Sequence, residues 1–113
     1  MTRGDPRMPP DEFTVITLCG SMRFREEFAR LDAELTLAGH VVLTPTALDP
    51  STELSSEDRE RLGRVHLQKI AMADEVLVVN VGGYLGESTR RELEHARSRG
   101  LPVSFLEPHA EPG

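Results

Sequence analysis

The chain has 113 residues, 38% hydrophobic and 4% aromatic, with a formal net charge of −6. That length fits one compact domain, able to bury roughly two-thirds of its unfolded surface without covalent staples. No apolar run approaches the roughly 20 residues that cross a bilayer, and the acidic balance argues against nucleic acid as a ligand, because phosphate backbones reward basic surfaces.

Residues 1–12 carry three prolines, a glycine and several charges, and read as a disordered lead without the apolar core of a secretory signal. "FTVITLCGS" follows, a β-branched run closed by Gly20 and consistent with a buried strand. Its Cys19 is the sole cysteine, so no internal disulfide is expected, which fits a reducing cytoplasm. From Met22 to Ala38 the apolar residues Phe24, Phe28, Leu31 and Leu35 recur at helical spacing, with Gly39 as the stop. "HVVLTPT" is a short second strand broken by Pro45, and 47–56 is turn-rich. Ser56 opens a helix to about Ala73, with Leu62, Val65, His66 and Ile70 on one side. "DEVLVVNV" is the strongest strand, apolar enough to be covered on both faces. Gly82 to Glu87 form a loop, Thr89 to about Arg99 a helix ended by Gly100, and "LPVSFLE" the last strand. The polar tail from Pro108 reads as loose, leaving 13–107 as the single domain.

Four strands alternating with three helices imply βαβ units and a parallel sheet of four to five strands in an α/β fold. Ligands gather at the carboxyl ends of such strands. The loops there are Gly20–Arg25, Thr44–Ser56 and Val81–Thr89.

The third loop is the richest. Gly82, Gly83 and Gly86 permit positive φ and close approach of a ligand to the main chain. Ser88 and Thr89 stand at a helix start, where free N–H groups and the dipole attract phosphate. The absence of lysine excludes a Walker A loop, and GGxxG is not the dinucleotide fingerprint. Thr89-x-x-Glu92 also matches a capping box, which would by itself account for both residues. In the first loop, Gly20 and Ser21 offer donors and Arg23 or Arg25 a charge, against the plainer reading of a strand-to-helix turn with solvated arginines. Cys19 reads as core rather than nucleophile. Glu92-x-x-His95 is half of a carboxylate-bridged di-metal motif without its second half, so no metal is expected. His66, among apolar neighbours, reads as a core histidine, and no serine–histidine–aspartate signature is present.

The order "ITLCGSMR", then "HLQKIAMADEVLVVNVGGYLGESTRRELEHA", resembles the nucleoside 2-deoxyribosyltransferase-like proteins over roughly residues 14–106. The most specific part is the AD, apolar strand, glycine loop and STxxEL sequence. This resemblance implies a small Rossmann-like three-layer fold and an N-glycosidase or deoxyribosyltransferase acting on a nucleoside 5′-monophosphate or deoxynucleoside. It assigns Glu92 as nucleophile, kept ionised by the helix N-terminus. Gly86, Ser88 and Thr89 would hold the sugar or its 5′-phosphate. Gly20, Ser21 and Arg23 would form the first-loop contacts, and Asn80 and Gly82 the remaining substrate contacts. It implies no cofactor and a homodimer or larger assembly. One position departs: the family's aspartate eight residues before Asp74 is here His66, which could bond a sugar hydroxyl, or a phosphate if protonated. That departure keeps a non-catalytic nucleotide-sensing module as the alternative.

Overall fold

The computed structural model describes residues 13–109, so the expected lead and residues 110–113 lie outside the described residues. The chain runs β1 (Val15–Cys19), α1 (Arg25–Leu37), β2 (Val41–Leu43), α2 (Ser56–Ala71), β3 (Glu75–Val78), α3 (Glu87–Ser98) and β4 (Val103–Phe105). Single 3-10 turns, Met22–Phe24 and Val81–Gly83, precede α1 and follow β3. The four strands lie in the order β2-β1-β3-β4, and every pairing is parallel. The expected parallel α/β sheet is therefore present.

Alternation along β1 sorts the core into two layers. Ile16 and Leu18 face α1 and pack with its Phe28 and Leu31. Cys19, with Val76 and Val78 of β3, packs against Ile70 of α2 and Leu93 and Ala96 of α3. One helix thus covers one face and two cover the other. Each fully buried aliphatic side chain, Leu18 or Ile70 for example, contributes roughly 1.5–3 kcal/mol. Thr17 is also completely buried, and its hydroxyl donates to the Lys69 carbonyl at 2.8 Å, which pins β1 to the end of α2.

Local chemistry fixes the element ends. The Ser55 side chain accepts from the Asp58 N–H at 3.0 Å and the Asp58 carboxylate accepts from the Ser55 N–H, a full capping box at the start of α2. Asp74 holds the start of β1 from both sides: its carboxylate accepts from the Val15 N–H, and its own N–H donates to the Val15 carbonyl, both at 2.8 Å. β3 is shorter than the apolar run suggests, because Asn80 leaves the ladder. Its side chain clamps the peptide of Glu107, donating to the Glu107 carbonyl at 3.1 Å and accepting from the Glu107 N–H at 2.9 Å. Beyond β4, the His109 ring stacks on Phe105 with centroids 4.4 Å apart.

β1 and β3 are neighbours whose following helices leave to opposite faces of the sheet. A crevice opens at the carboxyl end of strands that diverge in this way.

Candidate active site

A cavity of about 480 Å³ occupies that crevice, within the usual range for small-molecule sites. All three carboxyl-end loops line it: Gly20, Ser21 and Met22 after β1, Pro45 and Thr46 after β2, and Tyr84 with Gly86 after β3. One side of α2 contributes Arg59, Leu62, Gly63, His66 and Lys69, at the spacing of a single helical face. The first turns of α3 contribute Glu87, Ser88, Thr89, Arg91 and Glu92.

Of the residues singled out from sequence, Gly20, Ser21, His66, Gly86, Ser88, Thr89 and Glu92 come together around this cavity. Arg23, Asn80 and Gly82 do not line it. The Arg23 guanidinium lies over the ring of the cavity residue Tyr84, 3.9 Å from its centre. Asn80 is wholly committed to Glu107. Gly82 adopts φ +64 and donates its N–H to the Glu107 carboxylate at 3.1 Å, so it shapes the loop instead of meeting a ligand. Gly20 is required by close approach, because a Cβ there would sit 2.8 Å from the Val79 carbonyl oxygen.

The capping-box reading of Thr89 and Glu92 is overturned. α3 starts two residues earlier than expected, with Gly86 as N-cap and no side-chain cap. Thr89 is then the third residue of the helix, nearly fully buried, and Glu92 lies in the second turn. The first N–H groups of α3 are left without a side-chain acceptor at the cavity edge, as an anion site requires.

Glu92 lies at the floor. Its side chain is 19% exposed, and its Oε1 is buried without a hydrogen-bond partner. His66 Nε2 lies 3.6 Å from that oxygen, and Cys19 Sγ lies 3.5 Å from the same nitrogen. Burial pushes the Glu92 carboxyl up to about 7, against the smaller lowering effects of the Cys19 thiol and the Arg91 guanidinium. The helix N-terminus therefore does not keep Glu92 fully ionised: desolvation outweighs the dipole, which falls off within the first turn. Burial, helped by the Lys69 charge, lowers His66 to about 4. At neutral pH His66 is thus uncharged, the form that could bond a sugar hydroxyl and not the protonated form that could meet a phosphate. Burial raises the Cys19 thiol, with the Glu92 charge adding to it, so Cys19 has no thiolate character in this state. A cysteine–histidine–glutamate relay is excluded by geometry as well. Thiol and carboxylate both face Nε2, whereas a relay needs them on opposite ring nitrogens.

Beside Arg91, positive charge at the cavity comes from Lys69 and Arg59, which sequence reading passed over. Lys69 lines the wall while its ammonium donates to the Thr44 carbonyl at 2.7 Å and the Thr46 hydroxyl at 3.2 Å, tying α2 to the β2 loop. Arg59 lies one helical face with His66, and Arg91 pairs with Glu87 at 3.4 Å. The recurrence of Arg59, Gly63, His66 and Lys69 at steps of four, three and three was the available signal. Arg90, next to Arg91 in the chain, does not line the cavity.

A scan against protein-family models gave no match, and a search of curated proteins gave none either. Among solved structures the chain is similar to the 2-deoxyribosyltransferase of the psychrotolerant bacterium Bacillus psychrosaccharolyticus. The TM-score is 0.63 at 21% identity, over 87% of this chain and 75% of that one. The fold is therefore that of a nucleoside 2-deoxyribosyltransferase-like α/β protein. Among the described residues, no helix is long and apolar enough to cross a membrane.

Proposed function

We propose that this protein cleaves or exchanges the N-glycosidic bond of a nucleoside 5′-monophosphate or deoxynucleoside, with Glu92 as nucleophile. The observation that carries the reading is the unpartnered, buried Glu92 Oε1 at the floor of a cavity ringed by donors. An oxygen held without a hydrogen-bond partner keeps its lone pair available to carbon.

In the first step a Glu92 oxygen bonds to the anomeric carbon as the bond from that carbon to the base nitrogen breaks, its electron pair leaving with the base. The transition state has oxocarbenium character. In the second step water or an acceptor base attacks the same carbon and the carboxylate departs. Substrate phosphate or sugar oxygens would meet the N–H groups at the start of α3 and the Ser88 hydroxyl, with Arg59, Lys69 and Ser21 on the facing walls. His66, neutral at Glu92, serves as a sugar contact and positions the carboxylate. A homodimer is part of this reading, because a four-stranded sheet and an open cavity leave room for a neighbouring copy to complete the site.

A second reading, a nucleotide-binding module without turnover, is favoured by one observation: a carboxyl that titrates near 7 is half protonated at neutral pH and then attacks poorly. Chromatography of reactions with a panel of nucleoside monophosphates and deoxynucleosides, with and without a free acceptor base, separates the two. Base release or exchange is expected in the wild type and reduced by about 10³-fold or more in Glu92→Gln, as for other nucleophile deletions. Its pH profile is expected to rise through about 7 as Glu92 ionises. Nucleotide binding without base release selects the sensor, and base release that survives Glu92→Gln refutes the nucleophile.

A further inference from the structure

The three side chains at the cavity floor carry donor types that the glycosyl chemistry does not need together. Cys19 Sγ, His66 Nε2 and a Glu92 carboxylate oxygen all lie within 4.8 Å of one another. They come from the end of β1, the middle of α2 and the second turn of α3, so no sequence spacing announces them. His66 is 6% exposed, and both its Nδ1 and Glu92 Oε1 are buried without partners.

The separations fit one ion at the centre. Zinc binds thiolate at about 2.3 Å and imidazole or carboxylate at about 2.0–2.2 Å; at the tetrahedral angle these lengths place donors about 3.3–3.6 Å apart. The observed thiol–imidazole and imidazole–carboxylate distances are 3.5 and 3.6 Å. The remaining thiol–carboxylate pair, no more than 4.8 Å apart, closes by about 1 Å through rotation of the broad terminal torsion of Glu92.

Charge and softness agree with the geometry. Binding displaces the Cys19 thiol proton, and that of Glu92 where it is protonated, to solvent. The resulting thiolate, carboxylate and neutral imidazole carry two negative charges, so a dication leaves the buried site neutral. Thiolate and imidazole select borderline ions such as zinc and cobalt over magnesium or calcium.

We propose that Cys19, His66 and Glu92 form a three-donor site for a divalent ion of the zinc class, its fourth position open to the cavity. His66 and Glu92 both line the cavity while Cys19 lies beneath it, so the open position faces the space a substrate would fill. A carboxylate bound to a dication gives up much of its negative charge to the ion and is a poor nucleophile toward carbon. The ion and glycosyl transfer at Glu92 are therefore competing uses of one floor. With no partner on Nδ1 to orient the ring, the site binds more weakly than a structural zinc centre, by about 10–100-fold.

Cobalt titration of the chelator-stripped full chain tests this without reference to turnover. Cys19 is the single cysteine, so a thiolate-to-cobalt charge-transfer band reports that residue alone. The expected result is a band that saturates at one cobalt per chain and is abolished by zinc. His66→Gln and Glu92→Gln are each expected to weaken cobalt binding by at least about 10-fold. The absence of a charge-transfer band at saturating cobalt overturns the proposal, as does a band whose midpoint neither variant shifts. Should a variant fail to fold, zinc protection of the wild-type thiol from alkylation gives the same decision: unchanged alkylation overturns the site.

Discussion

Glu92 and His66 face each other at 3.6 Å, and burial moves their pKa values in opposite directions, Glu92 from 4.5 up to about 7 and His66 from 6.5 down to about 4. Between about pH 4.5 and about pH 6.5 both are uncharged in the metal-free folded protein, while the unfolded chain carries a carboxylate and an imidazolium. Folding then takes up a proton at Glu92 and releases one at His66. Each bound-proton difference changes stability by about 1.36 kcal/mol per pH unit. For Glu92 the folded state binds more protons. Its stabilising contribution is full below about 4.5 and is lost as pH rises through about 7, a fall of about 3 kcal/mol. For His66 the unfolded state binds more. Its contribution is full above about 6.5 and is lost as pH falls through about 4, again about 3 kcal/mol. In the wild type the two slopes cancel over the shared window.

Single substitutions uncover them. Burial is the largest cause of each shift, and an uncharged glutamine keeps the floor buried, so each slope persists when the other group is replaced. Glu92→Gln is expected to gain about 3 kcal/mol relative to wild type between about pH 4.5 and about pH 7. His66→Gln is expected to gain a similar amount relative to wild type as pH falls from about 6.5 to about 4. Urea unfolding followed by circular dichroism, with chelator and at constant ionic strength, reads these differences, and carboxylates elsewhere cancel in the comparison. Variant curves that run parallel to the wild type across both windows would refute the account of the floor as an uncharged pair.

Three further outcomes follow from the packing. Gly20→Ala places a Cβ 2.8 Å from the Val79 carbonyl oxygen and is expected to cost about 1–3 kcal/mol in urea unfolding. Gly63→Ala, whose Cβ meets nothing within 4 Å on α2, is expected instead to stabilise by about 0.5–1 kcal/mol. Asn80→Ala removes both hydrogen bonds to the Glu107 peptide and is expected to cost about 2 kcal/mol or more, with faster amide exchange at Glu107.

Most of the fold was legible because it is written in local patterns. The β-branched runs at 15–19 and 75–78, the apolar spacing of Phe24, Phe28, Leu31 and Leu35, and the glycines that end α1 and α3 each report short-range physics. Two boundaries were displaced, the first for a non-local reason. β3 ends early because Asn80 turns to serve Glu107, a residue 27 positions away. α3 begins at Glu87 with Gly86 outside it, which moves Thr89 and Glu92 out of the cap and onto the cavity.

The sequence alone therefore determined that a glycine-hydroxyl loop meets a helix start at a strand's carboxyl end, with Glu92 beside it. Backbone propensities and the parallel topology suffice for that. Only the tertiary structure decided the protonation and the company of Glu92. Its raised pKa, the neutral His66 and the nearby Cys19 thiol all arise from burial, and burial is a property of packed layers. Cys19, His66 and Glu92 lie 47 and 26 positions apart along the chain. What brings them together is the sheet order β2-β1-β3-β4, which sets the end of β1, the middle of α2 and the second turn of α3 around one crevice.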